Sequence, residues 1–487
     1  MSVNKQSDTV PLFPCVIGGQ SVETERTIDV HDPSDGTLIA RIPAGGATEI
    51  ADAVAAARSA FDGGAWSRLA AVERGRLLMR LGQAIADNAG ALAEWEARDT
   101  GKPIGQARAD MVAAARYFEF YGSAADKVHG ETIPFLPGYQ VQTIYEPYGV
   151  TGHIIPWNYP AQMTGRSCAP SLAMGNTVVL KPAEEACLTP IRIAQLALEV
   201  GFPAGAFNVV TGYGHEAGAA LTSHRQVDFL SFTGSPEVGV QVQKAAAENH
   251  IGCTLELGGK SPQIVFSDAD LDAAIPVLIN AIVQNGGQTC SAGSRALIQR
   301  DIFDAVIARL KTGFEKLTAA PWAENGNLGP LISHQQKLRV ESFIACGGTE
   351  TAPLIARGRI SASASPNGCF VAPALFGPVA ETDPLAREEV FGPVLCVIPF
   401  DDEPDAIRIA NDTEYGLVAG VWTRDGARQM RMAKALKCGQ VFLNGYGAGG
   451  GVELPFGGVR KSGHGREKGF AALLEFSQIK TIVLNHG

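Results

Sequence analysis

The sequence predicts an α/β protein built on doubly wound parallel sheets. Three observations carry this reading. From Gly149 onward, short apolar runs alternate with stretches of helical length; a second series of the same kind starts after Gly258 and continues to about Phe476. Strands that alternate with helices are joined by crossovers and so lie parallel. Glycine is also abundant, 56 of 487 residues against a usual share of about 7%. A parallel sheet places glycine turns where its strands lead into helix N-termini, which is where such sheets bind ligands.

Taken in order, Ile50, Val54, Ala57 and Phe61 recur at helical spacing and Gly63-Gly64 stop the pattern; Leu77, Leu78, Leu81, Ile85 and Leu92 continue helically. Residues 141–145 are β-branched and aromatic and meet Pro147, as an edge strand or hairpin arm does. Residues 177–180 read as a strand, after which Thr189 and Pro190 supply an N-cap and N1 proline for a helix running to Gly201. Strand 207–210, helix 214–223, strand 227–232, a helix from Ser235-Pro236 towards Asn249 and strand 254–257 complete the first series. Strand 263–266 and helix 268–284 open the second. No period of 20 to 50 residues suggests a repeat architecture.

At roughly 150 residues per domain, the length allows about three units. With 46% hydrophobic and 18% charged residues, the chain is not of the disordered class. A net charge of −10 without a basic run argues against nucleic acid and anionic membrane as partners. No apolar run is long enough to span a bilayer and the start lacks a signal-peptide pattern, so a soluble, cytoplasmic protein is expected. The nine cysteines form no CxxC and suggest no disulfide framework. Lys260-Ser261 resembles the end of a phosphate-binding loop, but Thr254 stands where its first glycine belongs; Gly212-Tyr213-Gly214 lacks the third glycine of a dinucleotide fingerprint. The histidines show no metal spacing, and no metal site is expected.

One cysteine stands apart. Cys290 lies among glycines and small polar residues at 284–294, between an apolar helix and a strand. Such a turn leaves room for a ligand, and its backbone N–H groups could activate a thiol; a structural cysteine is the alternative. Asn158 sits between Pro156 and Pro160, which suits an amide held ready to donate. Glu256 ends a buried strand, as a general base raised by desolvation or as an ion-pair partner. Glu389 precedes Phe391 and a turn by two residues.

In order, PWNYP, VVLKPAE, SFTGS, ELGGKSP, GGQTCSAGSR, EEVFGPV and PFGGVRKSG resemble the aldehyde dehydrogenase superfamily from about Ile17 to Val483. The resemblance implies NAD-dependent oxidation of an aldehyde to an acid, of the hydrolytic, non-CoA-acylating type. Cys290 would be the nucleophile, Asn158 and the Cys290 N–H the oxyanion donors, and Glu256 the base for hydrolysis of the thioester. Glu467 matches a position proposed to relay protons, with a structural salt bridge as the alternative; Lys260 also matches but reads as structural. Cofactor contacts fall on Trp157, Lys181, Glu184, Gly234, Ser235, Gly239, Glu389 and Phe391, and the Glu184 carboxylate favours NAD over NADP.

Tyr159, Gln162, Arg166 and Phe456 would face the substrate. Arg166 aligns with an arginine of succinate-semialdehyde dehydrogenases, which suggests a carboxylate-bearing aldehyde; an outward turn to a subunit contact is the alternative. The glycine stretch 447–451 is expected to border the entrance. The implied fold has two Rossmann-like domains, residues 1–128 with 148–258 for the cofactor and 259–476 for catalysis. A β arm, 129–147 with 477–487, would make a homodimer or homotetramer. Alternatives are a CoA-acylating enzyme and a non-catalytic relative.

Overall fold

The computed structural model describes residues 10–447 and 451–487, so residues 448–450 of the glycine stretch lie outside the described residues. Two large sheets organise the chain. In the first, of eight strands, Val150–Ile155 lies between Thr177–Pro182 and Phe229–Thr233, all parallel. Phe207–Val209 and Gly252–Glu256 extend it in parallel on either side. Val178 to Leu180 and Phe229 to Phe232, the latter apolar but for Ser231, are buried throughout, because helices cover both faces of a parallel sheet.

The second sheet has seven strands. Pro262–Val265, Arg295–Gln299, Val394–Phe400, Ala374–Phe376, Val418–Trp422 and Gln440–Leu443 run parallel, and Leu354–Arg357 closes one edge antiparallel. A third, three-stranded sheet joins Thr132–Ile133, Tyr139–Pro147 and Ser477–Asn485. Its apolar side chains Ile479, Val483 and Leu484 are exposed, as are Phe135 and Leu136 in the connection between its first two strands.

The sheets follow the alternation read in the sequence, with three differences. The helical run through Leu92 is two helices, Ala71–Asp87 and Ala89–Thr100. Between them the Asn88 side-chain amide donates to the Ala84 carbonyl at 2.8 Å, beside the Asn88 backbone N–H, which reaches the same carbonyl at 3.1 Å. Thr189 is not an N-cap: the helix Leu188–Glu199 starts before it, and its hydroxyl donates to buried Glu96 at 2.5 Å. Finally, the strand Gly463–His464, expected within the second unit, pairs antiparallel with Gly252–Glu256 of the first sheet.

Two helices matter for the site because each starts at the carboxyl end of a strand. Pro160–Met174 follows Val150–Ile155 and is buried along its length. Pro236–Glu248 follows Phe229–Thr233 and is capped by the Ser235 hydroxyl, which accepts from the Val238 N–H at 3.4 Å. No helix among the described residues is long and apolar enough to cross a membrane.

The crossing strand depends on Gly463, whose φ is +99° and where a Cβ would lie 1.9 Å from the Leu255 carbonyl oxygen. Gly463→Ala should cost about 2 kcal/mol or more, seen as a lower urea midpoint with unchanged slope.

Candidate active site

The Cys290 turn is held from several sides. After the helix Leu271–Val283, Asn285, Gly286 and Gly287 take left-handed φ values of 52°, 65° and 75°. A non-glycine residue there needs local support. Asn285 has it: its side-chain amide donates to the Asn158 carbonyl at 2.8 Å, and its own carbonyl accepts from Gln288 Nε2 at 3.1 Å. The Asn158 amide in turn donates to the Gln288 carbonyl at 2.8 Å, which aims it into the Cys290 turn. From the other side, a Cβ on Gly259 would lie 2.4 Å from the Cys290 carbonyl oxygen, so glycine is required for that approach.

Beneath Asn158 lies a buried ionic cluster. Lys102 Nζ donates to the Asn158 carbonyl at 3.0 Å, to Asp110 at 2.6 Å and to Glu96 at 3.3 Å, and lies 4.6 Å from the Tyr159 ring centroid. Burial raises both carboxyls, and the Lys102 charge opposes that rise. The backbone of Asn158 is thus gripped by Lys102 and Asn285 together.

The thiol is not activated by its turn as the glycine-rich sequence suggested. Burial pushes Cys290 up to about 11; Arg166 and a bond from the Ser291 N–H act downward but do not win, and Glu256 adds to the rise. Glu256 is 2% exposed, and burial pushes its carboxyl well above the usual range, with Arg166 opposing. Arg166 Nη2 lies 3.2 Å from Glu256 Oε2, and Arg166 Nε is ion-paired to Glu467. Glu467 also accepts from the Ser231 hydroxyl at 3.3 Å.

Two cavities meet at Cys290. The larger, of about 390 Å³, is lined among others by Trp157, Asn158, Gly234, Ser235, Glu256, Glu389 and Phe391. Trp157 and Phe391 meet edge to face with centroids 5.4 Å apart. Glu389 accepts from the Gly259 N–H at 2.8 Å, and burial pushes it up to about 7. Three residues expected at the cofactor are not in this wall. Gly239 packs against Leu257, where a Cβ would meet Leu257 Cδ2 at 2.7 Å. Lys181 and Glu184 pair with each other at 2.7 Å, and Glu184 also accepts from the Gly214 N–H at 3.3 Å.

The smaller cavity, of about 50 Å³, is lined by Tyr159, Gln162, Arg166 and Phe456, as expected, and also by Tyr117 and Lys468. Tyr159, Gln162, Met163 and Arg166 recur at helical spacing on one face of Pro160–Met174. Gln162 is committed elsewhere, donating to Asp110 at 2.7 Å. Arg166 departs from the alternative expected for it, an outward turn. It is 6% exposed, so it does not turn outward, and its guanidinium already faces two carboxylates. Sequence reading missed Tyr117, Lys102 and Lys468, since a lone tyrosine or lysine in a helix or loop carries no motif. The neighbour Glu467 was the one hint to Lys468.

The chain matches known proteins over nearly its whole length. The model of the aldehyde dehydrogenase family matches residues 20–482. The chain belongs to the aldehyde dehydrogenase family. It is 40% identical over 473 residues to aldehyde dehydrogenase family 2 member B4, mitochondrial, of Arabidopsis thaliana, covering 96% of this chain and 87% of that protein. Among solved structures, a putative aldehyde dehydrogenase from Burkholderia cenocepacia is 58% identical with a TM-score of 0.96, covering 97% of this chain and 100% of that one. A betaine aldehyde dehydrogenase from Staphylococcus aureus, solved with NAD+, is 35% identical with a TM-score of 0.94, covering 98% of this chain and 95% of that one. Family membership accounts for both Rossmann-like sheets.

Within this family member the Lys102 cluster lends itself to a direct check. Lys102→Met leaves Glu96 and Asp110 buried without their cation and should destabilise by about 3 to 5 kcal/mol. Chemical denaturation monitored by fluorescence measures this.

Proposed function

We propose that the protein oxidises an aldehyde to a carboxylic acid through a covalent intermediate on Cys290. The observation that carries this reading is the place of Cys290 in the walls of both cavities, with Glu256 lining the larger and aromatic side chains lining the smaller. The larger cavity suits a dinucleotide. It opens at the N-terminus of Pro236–Glu248, whose dipole favours a pyrophosphate. Farther along, it presents the Glu389 carboxylate, an acceptor for ribose hydroxyls, beside Phe391.

Glu256 takes the Cys290 proton, and the thiolate adds to the aldehyde carbon in the smaller cavity. The second N–H of the Asn158 amide and the Cys290 backbone N–H receive the oxyanion of the thiohemiacetal; each such donor is worth about 3 to 4 kcal/mol. NAD, when bound, supplies the acceptor for the hydride that leaves the carbon. Glu256 gives up the thiol proton towards Glu467 and, ionised again, removes a proton from water, whose oxygen bonds to the thioester carbon as the carbon–sulfur bond breaks and the sulfur leaves as thiolate. Glu467, behind Arg166, passes the proton onward.

Lys181 and Glu184 are assigned to the adenine ribose. The Lys181 charge and the Gly214 N–H outweigh burial and keep Glu184 below the usual range, and an ionised Glu184 disfavours a 2′-phosphate. Residues 1–128 with 148–258 form the cofactor domain and 259–476 the catalytic domain, with 463–464 crossing between them. The exposed apolar side chains of the arm support a homodimer or homotetramer. All nine cysteines are unpaired, as a reducing cytoplasm permits.

An aldehyde panel followed by NADH absorbance tests this reading, and acid product should form without CoA. NADH formation that requires CoA would replace it with the acylating reaction. Asn158→Ala should lower kcat about 10²- to 10³-fold, measured by the same absorbance. Glu389 accepts best when ionised. KM for NAD should therefore rise as pH falls below about 7 in the wild type and stay flat in Glu389→Gln.

A further inference from the structure

Arg166 is one cation between two buried carboxylates. It lies on Pro160–Met174, with Glu256 at the end of Gly252–Glu256 on one side and Glu467 on the other. Its guanidinium carbon lies 4.4 Å from the Phe456 ring centroid, which fixes the plane of the fork. All three charged side chains are buried, Arg166 at 6%, Glu256 at 2% and Glu467 at 1% exposure. Around them lie the Tyr117 and Tyr121 hydroxyls, the Cys290 and Cys168 thiols, Glu475, Lys468 and Arg466, whose Nη1 is held by the Gly458 and Gly465 carbonyls.

We propose that Arg166 is an internal counter-ion shared by Glu256 and Glu467, a positioning residue that keeps the base ionisable, and not a binding site for a substrate carboxylate. The inference rests on Glu256 being the base. Two physical points carry it. A carboxylate moved from water into this wall needs an adjacent cation to ionise, and Arg166 Nη2 is 3.2 Å away. An acidic substrate reaching Arg166 would be a third anion on a guanidinium whose Nε and Nη2 already face carboxylates.

Because Arg166 opposes the rise of Glu256 and Glu467 adds to it, removing either should move the base in opposite directions. The experiment is the pH profile of kcat/KM at saturating NAD for a neutral aldehyde and for succinate semialdehyde, in wild type, Arg166→Met, Arg166→Lys and Glu467→Gln. The acid limb should move to higher pH in Arg166→Met, with kcat/KM below neutrality falling about tenfold against its plateau on both aldehydes alike. Arg166→Lys should restore most of the loss, and Glu467→Gln should move the limb to lower pH. If Arg166→Met does not fold, the last two variants decide. Limbs that stay put or move together, or a loss confined to the semialdehyde, would overturn the proposal. Glu256→Gln separates the two readings: near-wild-type turnover there defeats the base itself, whereas lost turnover with unmoved Arg166 and Glu467 profiles defeats only the counter-ion.

Discussion

Taking the Cys290 thiol out of water pushes its ionisation up to about 11, so the sulfur needs a proton acceptor beside it to become a nucleophile near neutrality. The acceptor must lie in the same dry wall, and Glu256 does. A carboxylate there pays a desolvation penalty of its own and needs a cation, which brings Arg166 inward. Arg166 in turn faces a second carboxylate, Glu467. Each burial thus creates the demand that the next residue meets, and the chain of demands runs from one sheet to the crossing strand that closes it.

Pre-organisation of Asn158, the proposed oxyanion donor, is a separate structural task. A side-chain donor is effective only if it does not have to reorganise during reaction. The Lys102 cluster and Asn285 both hold the Asn158 carbonyl, and the amide itself is tied to Gln288. The strain of a left-handed asparagine at residue 285 is offset by these same bonds.

Much of the fold was legible because strand and helix periods differ and the parallel runs, covered on both faces, read as unbroken apolar segments. Where reading failed, a side chain had taken a partner distant in sequence. Thr189 looked like a cap but serves Glu96. The pairing of 463–464 with the first sheet left no local trace. In the site, Cys290, Asn158 and Glu256 were marked by neighbours that make no sense as core. Arg166 was visible through its alignment with an arginine of succinate-semialdehyde dehydrogenases, yet its direction depends on two carboxylates, at 256 and 467, that only folding brings to it. Gly239, Lys181 and Glu184 matched family positions but do not line the larger cavity, since a motif records position and not the wall a side chain reaches.

The covalent intermediate is the claim on which the rest turns. Glu256→Gln mixed with aldehyde and NAD at a pH close to that of the Cys290 thiol's own ionisation, where the sulfur is partly thiolate without the base, then quenched in acid and digested, can be weighed by mass spectrometry peptide by peptide. The account predicts that the Cys290 peptide alone gains the mass of the aldehyde less two hydrogens, the acyl group left when water is not activated. An unmodified Cys290 peptide in a variant that has formed NADH would contradict it.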